Sequence, residues 1–185
     1  MDVQADNLKN EYFISTGSGK FLRNVDLEPQ NNICIVEIND VGDSYRIVWG
    51  LEKGGKPTSE FPTHFMNHSI RKRVTNGENR VIYHAHTPNV IALTYVLPLK
   101  SEIFTRMLWA FHGLFVSGPD FDIAFGLMHT IEKAAEIAAI ALAANGGKKP
   151  NQVIEDDQLR QIGKEFGVTL NEDVLNFKSD DDMYC

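Results

Sequence analysis

The sequence is poor in cysteine, in basic charge and in long apolar runs. It has two cysteines in 185 residues and a formal net charge of −7. Two cysteines imply no disulfide framework, and the acidic balance argues against broad binding to nucleic acid or anionic membranes. No apolar run approaches the roughly 18 residues of a membrane span, and the first residues, MDVQADNLKNEYF, lack the features of a signal peptide. We therefore expect a cytoplasmic protein.

Strand-like and helix-like segments are mixed along the chain. Apolar, β-branched runs predict strands at EYFIST, NICIVEI, SYRIVW, VIYHAH and FHGLFVSG, and the second and third of these are spaced as an antiparallel hairpin. Helical periodicity and capping residues predict helices over 57–77, 88–97, 101–109, 119–147 and 156–167. We expect a single α/β (α+β-like) domain over 1–185, with a central, largely antiparallel sheet flanked by helices. A loose polar lead-in is expected at 1–10 and a disordered acidic tail from about 176 to 185.

Histidines stand at the end of one predicted strand and inside another. His84 and His86 lie two apart, and alternate side chains of a strand share a face, so the pair could bind one metal ion. The alternative is a solvent-facing polar pair, since an isolated HxH is weak evidence. A third imidazole from His112 would give the three-histidine, open site of a catalytic zinc. His64 and His68, four apart on one helix face, are a competing metal pair.

Two polar segments could bind an anion. TGSGK contains Ser18 and Gly19, but it lacks the GxxxxGK[ST] frame of a P-loop, so it could simply be a turn. Ser59 and Glu60 stand where a glycine-rich turn gives way to a predicted helix, and the backbone N–H groups of a helix start attract anions. Ser59 could equally be an N-cap and Glu60 a charge favoured by the helix dipole.

Five segments occur in one order between about Tyr12 and Leu170: TGSGKFLRNV, PTSEFPTHF, HAHTPNVIALTYV, AFHGLFVSGPDFDIAFGL and KEFGVT. Together they resemble the class II, zinc-dependent sugar-phosphate aldolases, and among these the members that act on rhamnulose 1-phosphate. The resemblance implies one zinc ion per subunit. The residues it assigns are the zinc ligands His84, His86 and His112, the catalytic carboxylate Glu60, and the phosphate-binding residues Ser18, Gly19 and Ser59.

The implied reaction belongs to rhamnose catabolism. It is the reversible cleavage of L-rhamnulose 1-phosphate to dihydroxyacetone phosphate and L-lactaldehyde by a homotetramer. The partner is thus a small phosphorylated ketose, with no nucleic acid and no membrane.

The sequence departs from the family's pattern at two places. The family has a Gly-Asn loop before the TGSGK segment. It also has a long segment between the positions of Trp109 and Ala110, which includes an acidic residue of the aldehyde half-reaction. Neither is found in this sequence. Two other interpretations therefore stay open: another class II enzyme, such as a fuculose-phosphate aldolase, an epimerase or a dehydratase, and a non-catalytic, zinc-binding remnant of the fold.

Overall fold

The computed structural model describes residues 1–97, 108–109, 112–148, 151–152 and 154–175. The chain divides into two compact units, Met1–Ile82 with Ser117–Asp120 and Tyr83–Val116 with Phe121–Cys185. Its strands form two three-stranded sheets with antiparallel pairing, accompanied by helices, which confirms the mixed α/β class. The single domain stays a prediction. The predicted acidic tail and positions 101–107 of a predicted helix lie outside the described residues.

The first sheet has the order β1-β2-β3, with antiparallel pairing throughout. Its strands are β1 (Tyr12–Thr16), β2 (Ile33–Ile38) and β3 (Tyr45–Gly50), and the short helix α1 (Pro29–Asn32) leads into β2. Alternate residues of β2 are fully buried, namely Cys34, Val36 and Ile38. Helix α2 (Phe61–Val74) adds Phe61 and Phe65 to the same core cluster. The antiparallel pairing of β2 with β3 confirms the predicted hairpin of the second and third strands.

The expectation of a loose N-terminal lead-in is wrong. A 3₁₀ turn spans Asp6–Leu8, and the side chain of Leu8 is 2% exposed. The backbone N–H of Ala5 donates to the carbonyl of Gly42 at 2.9 Å, and Asn7 and Ser69 exchange two hydrogen bonds. Ala5 and Leu8 belong to the buried core of the first sheet, although the segment around them is mostly polar. The polar composition therefore did not indicate their burial.

The second sheet has the order β4-β6-β5, with β6 in the middle. Its strands are β4 (Val81–Ala85), β5 (Leu108–Trp109) and β6 (Gly113–Gly118). Leu108 pairs with Leu114 and Trp109 with Gly113, in antiparallel register. The helix predicted over 101–109 is therefore wrong at its end, because backbone pairing with β6 overrides the helical spacing of Leu108 and Trp109.

Three further helices follow the predicted positions closely: α3 (Pro88–Val96), α4 (Phe121–Ala144) and α5 (Asp156–Phe166). A short helix α6 (Glu172–Leu175) comes after them. Helices α3 and α4 pack through Val90, Leu93 and Ala135, with Ile131 and Ala138 at the margin. Within the described ranges, no helix is both long enough and apolar enough to cross a membrane.

Candidate metal centre

The structure brings together the three histidines that the sequence singled out. His84 lies in β4, His86 is the first residue after β4, and His112 directly precedes β6. Because β4 and β6 are neighbours in the sheet, these strand ends lie side by side. The potential ligand nitrogens of the three residues all lie within 4.8 Å of one another. Among the described residues, no other group of three or more histidines, cysteines and carboxylates has such spacing.

The spacing of the nitrogens fits one metal ion. Nε2 of His86 lies 3.1 Å from Nε2 of His112. Imidazole nitrogens bind zinc at about 2.0–2.1 Å, so two ligands of a tetrahedral ion are about 3.3 Å apart. The His86–His112 pair therefore already has the separation of two ligands of one ion. His84 has a potential ligand nitrogen within 4.8 Å of those of both other histidines.

The tautomer of His84 also fits a metal ligand. Its Nδ1 lies 3.0 Å from the carbonyl oxygen of Leu114. A carbonyl can only accept a hydrogen bond, so Nδ1 carries the hydrogen and Nε2 carries the lone pair. Nε2 is buried from solvent. Metal-binding histidines commonly donate their second ring N–H to a backbone carbonyl in this way.

The centre is open on one side. His86 is exposed, whereas His84 and His112 are half-buried. Three protein ligands leave at least one coordination position for another molecule, which is the arrangement of catalytic zinc sites. Structural zinc sites instead use four protein ligands. The arrangement can therefore hold a Lewis acid where a small molecule can reach it.

The competing pair, His64 and His68, lies on α2 in the first unit. The ring of His68 packs on Phe13 with a centroid separation of 4.9 Å. Burial lowers the pKa of His68 to about 4, and the charge of Glu11 only partly opposes this shift. The aromatic contact and the burial of the ring favour a packing role for His68.

The predicted phosphate residues Ser18 and Gly19 form the centre of a tight turn. The N–H of Lys20 donates to the carbonyl of Gly17 at 3.1 Å, and Gly19 has a φ of +68°. A positive φ at the third position is the requirement of a type II turn, which explains the glycine. Both Ser18 and Gly19 are exposed, so the turn can meet a ligand.

A second segment, from Lys56 to Ser59, is held against this turn by backbone hydrogen bonds. The N–H of Ser18 donates to the carbonyl of Lys56 at 2.8 Å, and that of Thr58 donates to Thr16 at 2.7 Å. Ser59 follows directly and is exposed. The structure thus joins the two segments that carry Ser18, Gly19 and Ser59, although they are about 40 residues apart in sequence.

Glu60 occupies the N-cap position of α2, where the sequence suggested Ser59. Its side chain makes no capping hydrogen bond to the helix. Instead, its backbone N–H donates to Oγ1 of Thr58 at 3.3 Å, which tightens the turn before the helix. Glu60 is half-buried and lies in the first unit, as do Ser18, Gly19 and Ser59, whereas the three histidines lie in the second.

Sequence reasoning missed one polar contact near the histidines. Oε1 of Glu132, on α4, accepts hydrogen bonds from the backbone and side-chain nitrogens of Asn89 at 2.9 and 2.8 Å. Oε2 accepts one from the N–H of Val90 at 3.1 Å. Glu132 therefore caps α3, which begins two residues after His86. No local signal identifies this role, because a glutamate within a long helix usually faces solvent.

The fold and the site now have counterparts among known proteins. Residues 3–105 match the family described as Class II Aldolase and Adducin N-terminal domain. The chain belongs to the class II aldolase family. Among curated relatives, it is 39% identical over 211 residues to the rhamnulose-1-phosphate aldolase of Mannheimia succiniciproducens, covering 91% of this chain and 76% of the relative. It is 40% identical over 207 residues to that of Pectobacterium atrosepticum, covering 89% and 74%.

A solved structure gives the same class. The sugar-phosphate aldolase from Thermotoga maritima is similar with a TM-score of 0.58 and 27% identity, over 76% of this chain and 75% of that one. The matched region of 211 residues is longer than the 185 residues of this chain. The relative therefore contains residues inside the matched region that this chain lacks.

Proposed function

We propose that this chain is a zinc-dependent aldolase that reversibly cleaves L-rhamnulose 1-phosphate to dihydroxyacetone phosphate and L-lactaldehyde. The convergence of the nitrogens of His84, His86 and His112 within 4.8 Å carries the proposal. Relatives at 39% and 40% identity bear the name rhamnulose-1-phosphate aldolase, which supports this substrate over other sugar phosphates.

Three neutral imidazoles suit zinc and leave the ion its full positive charge. When bound, zinc supplies Lewis-acid chemistry, which stabilises negative charge as it develops on the oxygens of the ketose. His84, His86 and His112 would hold the ion. The exposed position of His86 leaves the substrate a way in.

Cleavage breaks the C3–C4 bond of the ketose. The C4 hydroxyl loses its proton to water, C4 becomes the aldehyde carbon of lactaldehyde, and the electron pair of the broken bond remains on the three-carbon enediolate. We assign to Glu60 the delivery of a proton to C3 of that enediolate, and its removal in the addition direction. The Ser18–Gly19 turn and Ser59 would bind the phosphate and fix which end of the ketose reaches the metal.

The family's acidic residue for the aldehyde half-reaction belongs to the segment that this sequence lacks. The half-reaction at C3 needs only the metal, Glu60 and the phosphate contacts. We therefore expect exchange of the C3 proton of dihydroxyacetone phosphate with solvent to be the more robust of the two activities of this chain.

The experiment follows both activities in the zinc-loaded chain. One assay measures release of dihydroxyacetone phosphate from L-rhamnulose 1-phosphate, with fuculose 1-phosphate for comparison, and the other measures C3 deuterium exchange. Both should stop on chelation. Glu60→Gln should keep the metal and lose roughly 10²–10⁴-fold in rate. His86→Ala should lose the metal. Glu52→Gln, at an exposed position, should change neither metal binding nor the rate.

If a folded, zinc-loaded chain neither releases product nor exchanges the proton, the enzymatic function is refuted. The non-catalytic, zinc-binding protein is then the supported interpretation. Equal turnover of the two ketose phosphates would refute the substrate preference. The proposal further includes a cytoplasmic location and a homotetramer, both implied by the resemblance. Light scattering on the purified chain tests the assembly.

A further inference from the structure

Three consecutive residues of β6 contact the imidazole of His84. The carbonyl oxygen of Leu114 lies 3.0 Å from Nδ1. The ring of Phe115 stacks on the imidazole, with a centroid separation of 4.0 Å and an interplanar angle of 15°. At Gly113, a Cβ atom would lie 2.9 Å from Cε1 of His84 and 2.6 Å from the carbonyl oxygen of Ala85. The ring is thus bounded on its face, at one nitrogen and along one edge.

The requirement for glycine at 113 is a requirement for space. Its φ lies outside the left-handed region, so other residues could adopt its backbone conformation. The obstacle to a side chain is contact with the His84 ring and the Ala85 carbonyl, both closer than 3.0 Å to the position of a Cβ. A carbonyl oxygen cannot move without its strand, so an added methyl would push β6 away from β4 and from His84.

A metal ligand gains affinity when its ring is fixed before the ion arrives. An imidazole has two rotatable bonds, and ordering them on binding would cost free energy. The Leu114 carbonyl fixes the tautomer of His84, and the Phe115 ring fixes the plane of its imidazole. The Nε2 lone pair of His84 is thereby held in one direction while the exposed His86 stays accessible.

We propose that Gly113 and Phe115 are positioning residues that orient His84 for the metal. The inference rests on the proposed metal site and adds to it a determinant of affinity from β6. The two residues touch neither substrate nor ion in this role, and they act through the His84 ring.

The test measures zinc affinity by competition with a chromophoric chelator, and the visible absorption of the cobalt-loaded protein. Phe115→Leu removes the ring and keeps apolar bulk, and Gly113→Ala adds one methyl group. Both should lower zinc affinity, roughly 10–100-fold, as loss of an outer contact to a ligand does elsewhere. The cobalt spectrum should change in intensity, since it reports the coordination geometry. A purely structural role would leave that spectrum unchanged.

Matched controls lie on α4. Phe125→Leu replaces an exposed phenylalanine, and Gly126→Ala adds a methyl that would meet nothing within 4 Å. Both controls should keep the affinity and spectrum of the unaltered chain. If Gly113→Ala does not fold, Phe115→Leu decides alone. A folded Phe115→Leu with unchanged affinity and spectrum overturns the inference while the metal site stands. An unaltered chain that fails to bind zinc overturns the metal site and this inference with it.

Discussion

Glu132 offers a sharp test of how the segment after the histidines is held in place. Its carboxylate accepts three hydrogen bonds from the first turn of α3, given by the two nitrogens of Asn89 and the N–H of Val90. Backbone N–H groups in the first turn of a helix have no partner within the helix. Glu132→Gln keeps the shape of the side chain, removes its charge and turns one of its two acceptors into a donor.

The magnitude follows from these three bonds. A hydrogen bond to a charged group contributes about 1.5–3 kcal/mol and a neutral one about 0.5–1.5 kcal/mol. The amide can keep the two bonds to Asn89 as neutral ones, whereas its NH₂ group would face the N–H of Val90. The raw loss is about 3.5–6 kcal/mol, and solvent screening at the half-buried Glu132 reduces it to about 2 kcal/mol. The first turn of α3 would then open roughly 30 times more often.

Amide hydrogen exchange at Asn89 and Val90 measures that opening residue by residue, and urea denaturation gives the global change. Glu136→Gln is the control, because Glu136 lies one turn further along α4 and pairs with the exposed Lys133. That pair should contribute less than about 0.5 kcal/mol. Exchange rates at Asn89 and Val90 that stay the same in folded Glu132→Gln would refute the capping role.

Three further predictions concern the first unit. The folded pKa of His68 is about 4 and its ordinary value is 6.5, so the free energy of unfolding should fall by up to about 3 kcal/mol as the pH drops from 6.5 to 4. Urea denaturation at several pH values should show a smaller fall for His68→Gln. The same dependence on pH in both proteins would contradict this prediction. Gly19→Ala should lower the stability by about 1–2 kcal/mol because of the φ of +68° alone, and it should also raise KM. An unchanged melting temperature would contradict the positive φ of Gly19 in this turn. Cys34 is fully buried and burial raises its pKa, so in a Cys185→Ser background a thiol reagent should react only after unfolding, and reaction of the native chain would be the contrary result.

Elements with a strong local pattern could be predicted from the sequence. Alternation in β2 reflects a face that is buried in the structure, and the segments predicted for β2 and α4 agree closely with the observed bounds. The proximity of His84 and His86 could also be predicted, because HxH at a strand end constrains two side chains at once. Their meeting with His112 depended on the pairing of β4 with β6, which no local pattern reveals.

Features that depend on distant partners could not be predicted. Leu108 and Trp109 have helical spacing, and only the backbone of β6 makes them a strand. Leu8 stands in a polar stretch, and its burial depends on the core that the first sheet forms with α2. Glu132 resembles any solvent-facing glutamate until α3 packs beside α4. For Leu8 and Glu132 the stabilising partner is tens of residues away in sequence, whereas for Leu108 and Trp109 it is the adjacent strand β6.

The three histidines differ in a way that suits turnover rather than permanent metal storage. His84 is fixed by Leu114 and Phe115, and its Nε2 is buried. His86 lies beyond the end of β4 and is exposed, and the ring of His112 is 4.6 Å from that of His86. A site fixed on one side can hold an ion in place, while its open side lets substrate enter and product leave. A closed site with four protein ligands would leave no coordination position for a substrate.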